Sequence, residues 1–181
     1  MKIIKYIYFK LINANKVAEL QGVNFGKNCK FLTKDFGSEP YLISIGDNFY
    51  SASNVSFITH DGSVNVLRNL YDEYNDIDLF APIVIGNNVF VGKGSTILPG
   101  TFIEDNVIIG AGSIVRGVLK RNSVYAGIPV KYISSLEEYK EKNKYNFLNT
   151  KYLNKKEKKI FLQKWLKQKY SIFHTRVEDG E

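Results

Sequence analysis

The stretch that decides the fold is IVIGNNVFVGKGSTILPGTFIEDNVIIGAGSIV, residues 83–115. From Ile85 onward it divides into groups of six residues. Each group begins with an aliphatic side chain: Ile85, Val91, Ile97, Ile103, Ile109 and Val115. The fifth position of each group is small or aliphatic: Val89, Ser95, Thr101, Val107, Ser113 and Leu119.

A period of six fits neither common secondary structure. Six residues of an α-helix rotate by about 600°, which would place successive aliphatic residues on different faces. A long strand would instead need an apolar residue at every second position. A short strand followed by a tight turn satisfies the pattern, and repeats of this length are typical of a parallel β-helix.

The same pattern begins earlier in a weaker form, with FGKNCK from Phe25 and IGDNFY from Ile45. Ile45 and Ile85 are 40 residues apart, which is not a multiple of six. The phase therefore breaks, and we predict an inserted loop over residues 62–82 that leaves the coil just after His60. Long loops on a regular scaffold often carry function.

These patterns predict a mainly β protein with short terminal α-helices. We expect a helical segment over residues 1–22, the β-helix over residues 23–133 and a basic helical extension over residues 134–181. SSLEEYKEKNK, from Ser134, has the serine and glutamates of a helix start. NKKEKKIFLQKWLKQKY, from Asn154, predicts an amphipathic basic helix.

Composition restricts the function classes. The chain has 181 residues, a formal net charge of +7 and one cysteine, Cys29. A disulfide within the chain and a zinc site built from cysteines are excluded, and a reducing, cytoplasmic setting fits. The charge favours anionic partners without selecting one, and a position near a membrane surface is compatible with it. MKIIKYIYFKLI, at the start of the chain, is too short to cross a bilayer.

Together these motifs resemble the bacterial hexapeptide-repeat acetyltransferases that modify sugars, antibiotics and surface polysaccharides. The resemblance covers Phe25 to Ile133, and its most specific part is residues 83–115 followed by AGIPVKYI, residues 126–133. NVSFITHDGSVNVLRNLY, residues 54–71, looks closest to capsule and O-antigen O-acetyltransferases. The resemblance implies a left-handed coil, a homotrimer with active sites between subunits, acetyl-CoA as acyl donor, a sugar or glycan acceptor and no metal.

Transfer of an acetyl group to a hydroxyl needs a base for the hydroxyl proton. The chain has two histidines, His60 and His174, and only His60 lies where the repeat breaks. The resemblance assigns His60 as the general base for direct attack on the thioester, although it comes two residues earlier than in galactoside and maltose relatives. Asp61 and Asn54 are the expected acceptor-binding residues. Asp61 could also orient His60 or serve as a turn residue before Gly62.

The coenzyme site implied by the resemblance runs along the second half of the repeat. Phe90 would flank the reacting end, and the backbone N–H of Lys93 after Gly92 would face the thioester oxygen. Ala111 and Gly112 would line the pantetheine arm, while Arg116 and Lys131 would approach the phosphates. The small residues among them also suit the corners of the coil.

Other functions remain open at this point. An N-acetyltransferase of a nucleotide-linked amino sugar would use the same base, and a non-catalytic β-helix could bind a glycan. A carbonic anhydrase of the same fold needs three histidines on one zinc, which a chain with two does not supply. A nucleic-acid protein is suggested by the charge, but no recognised motif supports it.

Overall fold

The computed structural model describes residues 11–178, with side chains described through residue 169. The chain divides into two compact units, Met1–Lys142 and Asn143–Glu181. The first unit contains the six-residue repeat. The predicted helical segment over residues 1–22 therefore lies partly outside the described residues.

The first unit is built from short strands in three sheets, here called A, B and C, which the chain visits in rotation. Neighbouring strands of one sheet are parallel throughout, except for the last pair of sheet B. Parallel strands visited in this order form the three sides of a β-helix, so the predicted mainly β class and parallel β-helix are confirmed. The left hand of the coil stays a prediction from the resemblance.

The strand bounds follow the repeat. Sheet A contains β1 (Asn24–Phe25), β3 (Ile43–Ile45), β6 (Ile83–Ile85), β9 (Phe102–Ile103) and β12 (Val118–Leu119). Sheet B contains β2 (Lys30–Phe31), β4 (Tyr50–Ser51), β7 (Val89–Val91), β10 (Val107–Ile109), β13 (Ser123–Ala126) and β14 (Lys131–Ser135). Sheet C contains β5 (Ser56–Phe57), β8 (Thr96–Ile97) and β11 (Ile114–Val115).

The strand register shows why the period is six. Ile85 pairs with Ile103 on the next coil, so a regular coil contains 18 residues, or three groups of six. Ile45 pairs directly with Ile85, although 40 residues separate them. The excess residues leave the coil between β5 and β6, where the chain forms a short helix, α2 (Val64–Leu70), instead of further coil strands.

The repeat positions form the core. All six first-position residues and all six fifth-position residues are buried, as the pattern predicts: Ile85, Val89, Val91, Ser95, Ile97, Thr101, Ile103, Val107, Ile109, Ser113, Val115 and Leu119. The buried hydroxyls bond to backbone carbonyls, with Ser113 donating to Gly110 O at 2.7 Å and Thr101 to Leu98 O at 2.7 Å. These bonds satisfy the buried hydroxyls at the repeat positions.

The corners of the coil use asparagine as well as glycine. At the corner between sheets A and B, Asn88 donates from its amide to Asn106 at 2.8 Å, and Asn106 donates to Asn122 at 2.9 Å. These residues have φ between 55° and 59°, a left-handed conformation that asparagine tolerates. The repeat predicted small residues such as glycine at the corners, and this asparagine ladder was not predicted.

Helices lie at both ends of the coil. Helix α1 (Ala14–Gln21) is capped by Asn13 and buries Val17 and Ala18 in the core. After β13 the chain turns back into the antiparallel strand β14 and then enters α3 (Leu136–Asn143). Ser135 and Glu138 bond to each other's backbone N–H at 2.6 and 3.1 Å. This capping box confirms the predicted helix start.

The second unit contains a long helix, α4 (Lys155–Glu178). Asn154 caps it by accepting from the backbone N–H of Lys156 and Glu157 at 2.9 and 3.0 Å. Ile160 and Leu166 are exposed among the lysines, and the Lys169 ammonium lies 4.7 Å from the centre of the Trp165 ring. The predicted helix is therefore present. Within residues 11–178, no helix is long and apolar enough to cross a membrane.

Candidate active site

His60 lies on the segment that follows β5, beside the returning end of the inserted residues. The backbone N–H of Asp61 donates to Leu79 O at 2.8 Å, and that of Ala81 donates to Thr59 O at 2.9 Å. These two bonds place His60 and Phe80 opposite each other in an antiparallel bridge. The inserted residues thus leave the coil after His60 and return to pair with the same segment.

A glutamate from the preceding coil holds the imidazole ring. The Ser38 hydroxyl donates to Glu39 Oε2 at 2.9 Å, and the Thr59 hydroxyl donates to the same oxygen at 2.9 Å. His60 Nδ1 lies 2.9 Å from Ser38 Oγ and 3.2 Å from Glu39 Oε2. Since the Ser38 hydrogen is directed to Glu39, we assign Nδ1 as the donor to these two oxygens. Nε2 is then the basic nitrogen.

Glu39 carries a negative charge in this network. Burial raises its pKa, but the hydrogen bonds from Ser38, Thr59 and His60 outweigh burial and hold the pKa of Glu39 below its usual value. Its side chain is only 17% exposed, whereas that of His60 is 47% exposed. The Glu39 carboxylate is therefore mostly covered, while the His60 imidazole is accessible from solvent.

Ser38, Glu39 and Thr59 were not predicted from the sequence. They form no local motif with His60, since Glu39 lies 21 residues before it. The available signal was the coil length: residues about one coil apart stack on each other, and Glu39 lies in GSEP, residues 37–40, one coil before His60.

Asp61 occupies a turn. Its Oδ1 accepts from the backbone N–H of Ser63 at 2.9 Å. Hydrogen bonding from Ser63, aided by the positive charge of Arg116, holds the pKa of Asp61 below its usual value. Of the three roles considered for Asp61, the turn role is the one seen in its contacts, while the carboxylate on the His60 ring belongs to Glu39.

A cleft of about 630 Å³ opens in front of His60. It is within the size range of small-molecule sites. The cleft brings His60, Asp61 and Arg116 together, whereas the resemblance placed Arg116 near the coenzyme phosphates. Its other walls are largely apolar and include Phe57, Ile58, Leu79, Ala81, Leu98 and Pro99.

Four expected coenzyme residues stack at the corner between sheets B and C. The backbone N–H of Gly92 donates to Ile109 O at 2.8 Å, and that of Gly112 donates to Lys93 O at 2.8 Å. Ala111 and Gly112 are exposed, and a Cβ atom at Gly112 would meet no heavy atom within 4 Å. Within one chain this corner follows sheet B, whereas His60 follows sheet C. The fold of a single chain therefore does not bring these expected coenzyme residues close to His60.

The other predicted residues lie apart. Phe90 projects from β7 with its ring 5.4 Å from that of Tyr50, and both line a groove of about 340 Å³. Asn54 is a left-handed corner residue with φ 58° on a shallow groove beside sheet C. Lys131 begins β14 and is exposed. The side chain of His174 lies outside the described residues.

Neither the cysteine nor a metal site competes with this candidate. Cys29 is half-buried and donates from its thiol to Gly46 O at 3.2 Å, and burial raises the pKa of the thiol. A raised pKa disfavours the reactive thiolate. In the part of the chain with described side chains, no group of three His, Cys, Asp or Glu residues is placed to hold a metal ion.

Comparison with known proteins gives consistent matches. The family model for bacterial transferase hexapeptide (six repeats) matches residues 82–117. Protein CapG of Staphylococcus aureus is 45% identical over 166 residues, covering 88% of this chain and 94% of that protein. Galactoside O-acetyltransferase of Escherichia coli (strain K12) is 37% identical over 118 residues, covering 65% of this chain and 54% of that protein.

A solved structure agrees with the sequence matches. The structure of a galactoside acetyltransferase in complex with coenzyme A superimposes with a TM-score of 0.53 and 31% sequence identity. The match covers 66% of this chain and 58% of that one.

Proposed function

This chain belongs to the bacterial hexapeptide-repeat transferases, and on that premise we propose that it transfers an acetyl group from acetyl-CoA to a hydroxyl of a sugar or surface-polysaccharide precursor. The relatives named above support an acetyl-CoA-dependent O-acetyltransferase, since one is a galactoside O-acetyltransferase and a similar structure holds coenzyme A. The observation that carries the proposal is the His60 ring, held by Glu39 at the mouth of a cleft.

In the proposed reaction, Nε2 of His60 removes the proton of the acceptor hydroxyl as its oxygen attacks the thioester carbonyl. The carbon–sulfur bond then breaks, the acetyl group stays on the acceptor oxygen and the leaving thiolate of coenzyme A takes the proton from His60. Glu39 stabilises the imidazolium in between because its carboxylate accepts from Nδ1. No acyl-enzyme is needed.

The donor would lie along the corner formed by Gly92, Lys93, Ala111 and Gly112. The open space beside Gly112 supports this placement, because a narrow arm can approach the backbone where no side chain intervenes. In a homotrimer, this corner of one chain would face His60 of its neighbour. The trimer and a cytoplasmic location both stay predictions.

The charges of the inserted segment after His60, more than those of the cleft lining itself, support a neutral sugar over a nucleotide-linked one. Between residues 61 and 82 the chain carries five carboxylates, on Asp61, Asp72, Glu73, Asp76 and Asp78, against the single arginine Arg68. A diphosphate-linked acceptor would be repelled by this excess of negative charge. The N-acetyltransferase of a nucleotide-linked amino sugar is therefore the weaker alternative.

The decisive test is His60→Ala, with His174→Ala as the matched control. Release of free thiol from acetyl-CoA is followed with a panel of sugars, oligosaccharide repeat units and nucleotide sugars. We expect His60→Ala to reduce turnover about 10²–10⁴-fold, with an unchanged circular dichroism spectrum and unchanged oligomer size. His174→Ala should turn over like the unmodified protein, and near-normal turnover by His60→Ala would refute the assignment.

A further inference from the structure

We propose that Phe80 is the surface on which a pyranose ring of the acceptor stacks, so that the inserted residues select the acceptor. The inference rests on the proposed function of His60, because the stacked sugar must present a hydroxyl to that base. It goes further by assigning a residue outside the coil to acceptor recognition and by naming the acceptor class as a cyclic sugar with an unsubstituted C–H face.

The first step is the pairing of Phe80 with His60. The bonds from Asp61 N to Leu79 O and from Ala81 N to Thr59 O flank the pair, so His60 and Phe80 form a non-hydrogen-bonded antiparallel pair. Side chains in such pairs lie on the same face and approach closely. The ring centroids are 6.2 Å apart with an interplanar angle of 58°. Phe80 is therefore a direct neighbour of the base.

The second step is the exposure of Phe80. Its side chain is 47% exposed, although an aromatic ring of this size gains free energy when it is buried. Its chain neighbours Leu79 and Ala81 line the cleft in front of His60, whereas the Phe80 ring is outside that lining and lies beside the exposed His60 ring. A pyranose has one apolar C–H face and a rim of hydroxyls, so stacking it on Phe80 would cover the ring and direct the rim toward His60.

The third step is the set of contacts from Arg68 that holds the segment before Phe80 in place. Arg68, on α2, donates from Nε to Ile77 O at 2.8 Å, and its guanidinium also binds the Asp78 carboxylate. These contacts end at Asp78, one residue before Leu79, where pairing with the His60 segment begins. Arg68 is therefore a positioning residue that fixes Phe80 through the backbone.

Other exposed aromatic residues of the inserted segment do not share this position. Tyr71 and Tyr74 come directly after α2 and pack against each other, with ring centroids 5.8 Å apart. Tyr74 is 42% exposed, close to the value for Phe80. It therefore offers a control in the same segment with similar size and exposure.

The experiment measures initial rates of thiol release at saturating acetyl-CoA, with methyl β-galactopyranoside and the acyclic polyol glycerol as acceptors. For Phe80→Ala we expect the KM for the pyranoside to rise about tenfold, with kcat and the KM for acetyl-CoA within about twofold. Phe80→Trp should retain the low KM because it keeps an aromatic face. The KM for glycerol should be unaffected in either variant, since glycerol has no ring to stack.

Two comparisons make the test specific. Tyr74→Ala should leave every constant unchanged. Arg68→Ala should raise the KM for the pyranoside alone, and Arg68→Lys should restore part of it. An unchanged pyranoside KM in Phe80→Ala, or an equal rise in Tyr74→Ala, would overturn the proposal.

Acceptor binding and catalysis are separated by measuring binding in the His60→Ala background. Saturation-transfer NMR with methyl β-galactopyranoside should show binding to His60→Ala and a loss of binding when Phe80→Ala is added. A signal that persists in the double variant overturns the role of Phe80. Normal turnover by His60→Ala would instead defeat the proposed function and leave the binding result standing.

Discussion

Gly92→Ala tests how closely the coils are stacked at the expected coenzyme corner. A Cβ atom at residue 92 would lie 2.4 Å from the backbone nitrogen of Ala111 and 2.7 Å from its Cα, where ordinary contacts begin at 3.4 Å. Both obstacles are backbone, so no side chain can rotate away. The two coils would have to separate locally by about 1 Å to restore normal contact.

The separation sets the size of the effect. The bonds from Gly92 N to Ile109 O and from Gly112 N to Lys93 O are both 2.8 Å long, and a shift of this size would break or severely weaken them. At about 1 kcal/mol for each bond, the loss is about 2 kcal/mol. Strain from crowding adds to that loss. We therefore expect Gly92→Ala to lower the free energy of unfolding by at least about 2 kcal/mol.

The assay is urea unfolding followed by circular dichroism, at one protein concentration because oligomers unfold in a concentration-dependent way. Gly62→Ala is the matched control, since a Cβ atom there would meet no heavy atom within 4 Å. The control should change the free energy of unfolding by less than about 0.5 kcal/mol. A Gly92→Ala protein as stable as this control would refute the stacking argument.

Two further predictions concern carboxylates that bind neighbouring cations or donors. Glu39→Gln should lower kcat about 10- to 100-fold without changing the KM for acetyl-CoA, because a neutral amide stabilises the imidazolium less well than a carboxylate does. The rate of thiol release measures kcat. An unchanged kcat would count against an orienting role for Glu39. Hydrogen bonds from Lys120 and the Arg121 backbone lower the pKa of Glu104 from 4.5 to about 2. The stability that Glu104 contributes should therefore be fully present above about pH 4.5 and disappear as the pH falls through about 2. Urea midpoints of Glu104→Gln and the unmodified protein should converge over that range, whereas a constant difference would contradict the assignment.

The coil could be predicted from the repeat because burial imposes the pattern residue by residue. Ile97 and Val115 are inward at the same position of successive coils, and each is fully buried as its place in the group of six requires. The asparagine corners were overlooked for a different reason. Asn88 and Asn106 are each compatible with an ordinary turn, and their amides form a ladder only when the coils are stacked.

The candidate base was accessible from the sequence, and its environment was not. His60 could be selected because it is one of two histidines and lies where the six-residue phase breaks. Its partner Glu39 and its neighbour Phe80 lie 21 and 20 residues away, with no motif connecting them. Arg116 likewise joins the His60 cleft from two coils further along the chain.

By itself, then, the sequence predicted the parallel coil, the break in the six-residue phase after His60 and His60 as the candidate base. These properties depend on the order of residues within about one coil, because the buried positions recur at a regular spacing and must hold apolar or small side chains. Only the tertiary structure decided which carboxylate holds His60, which aromatic ring lies opposite it and which residues share its cleft. Those contacts depend on how coils stack and where the inserted segment returns, which is a property of the folded chain.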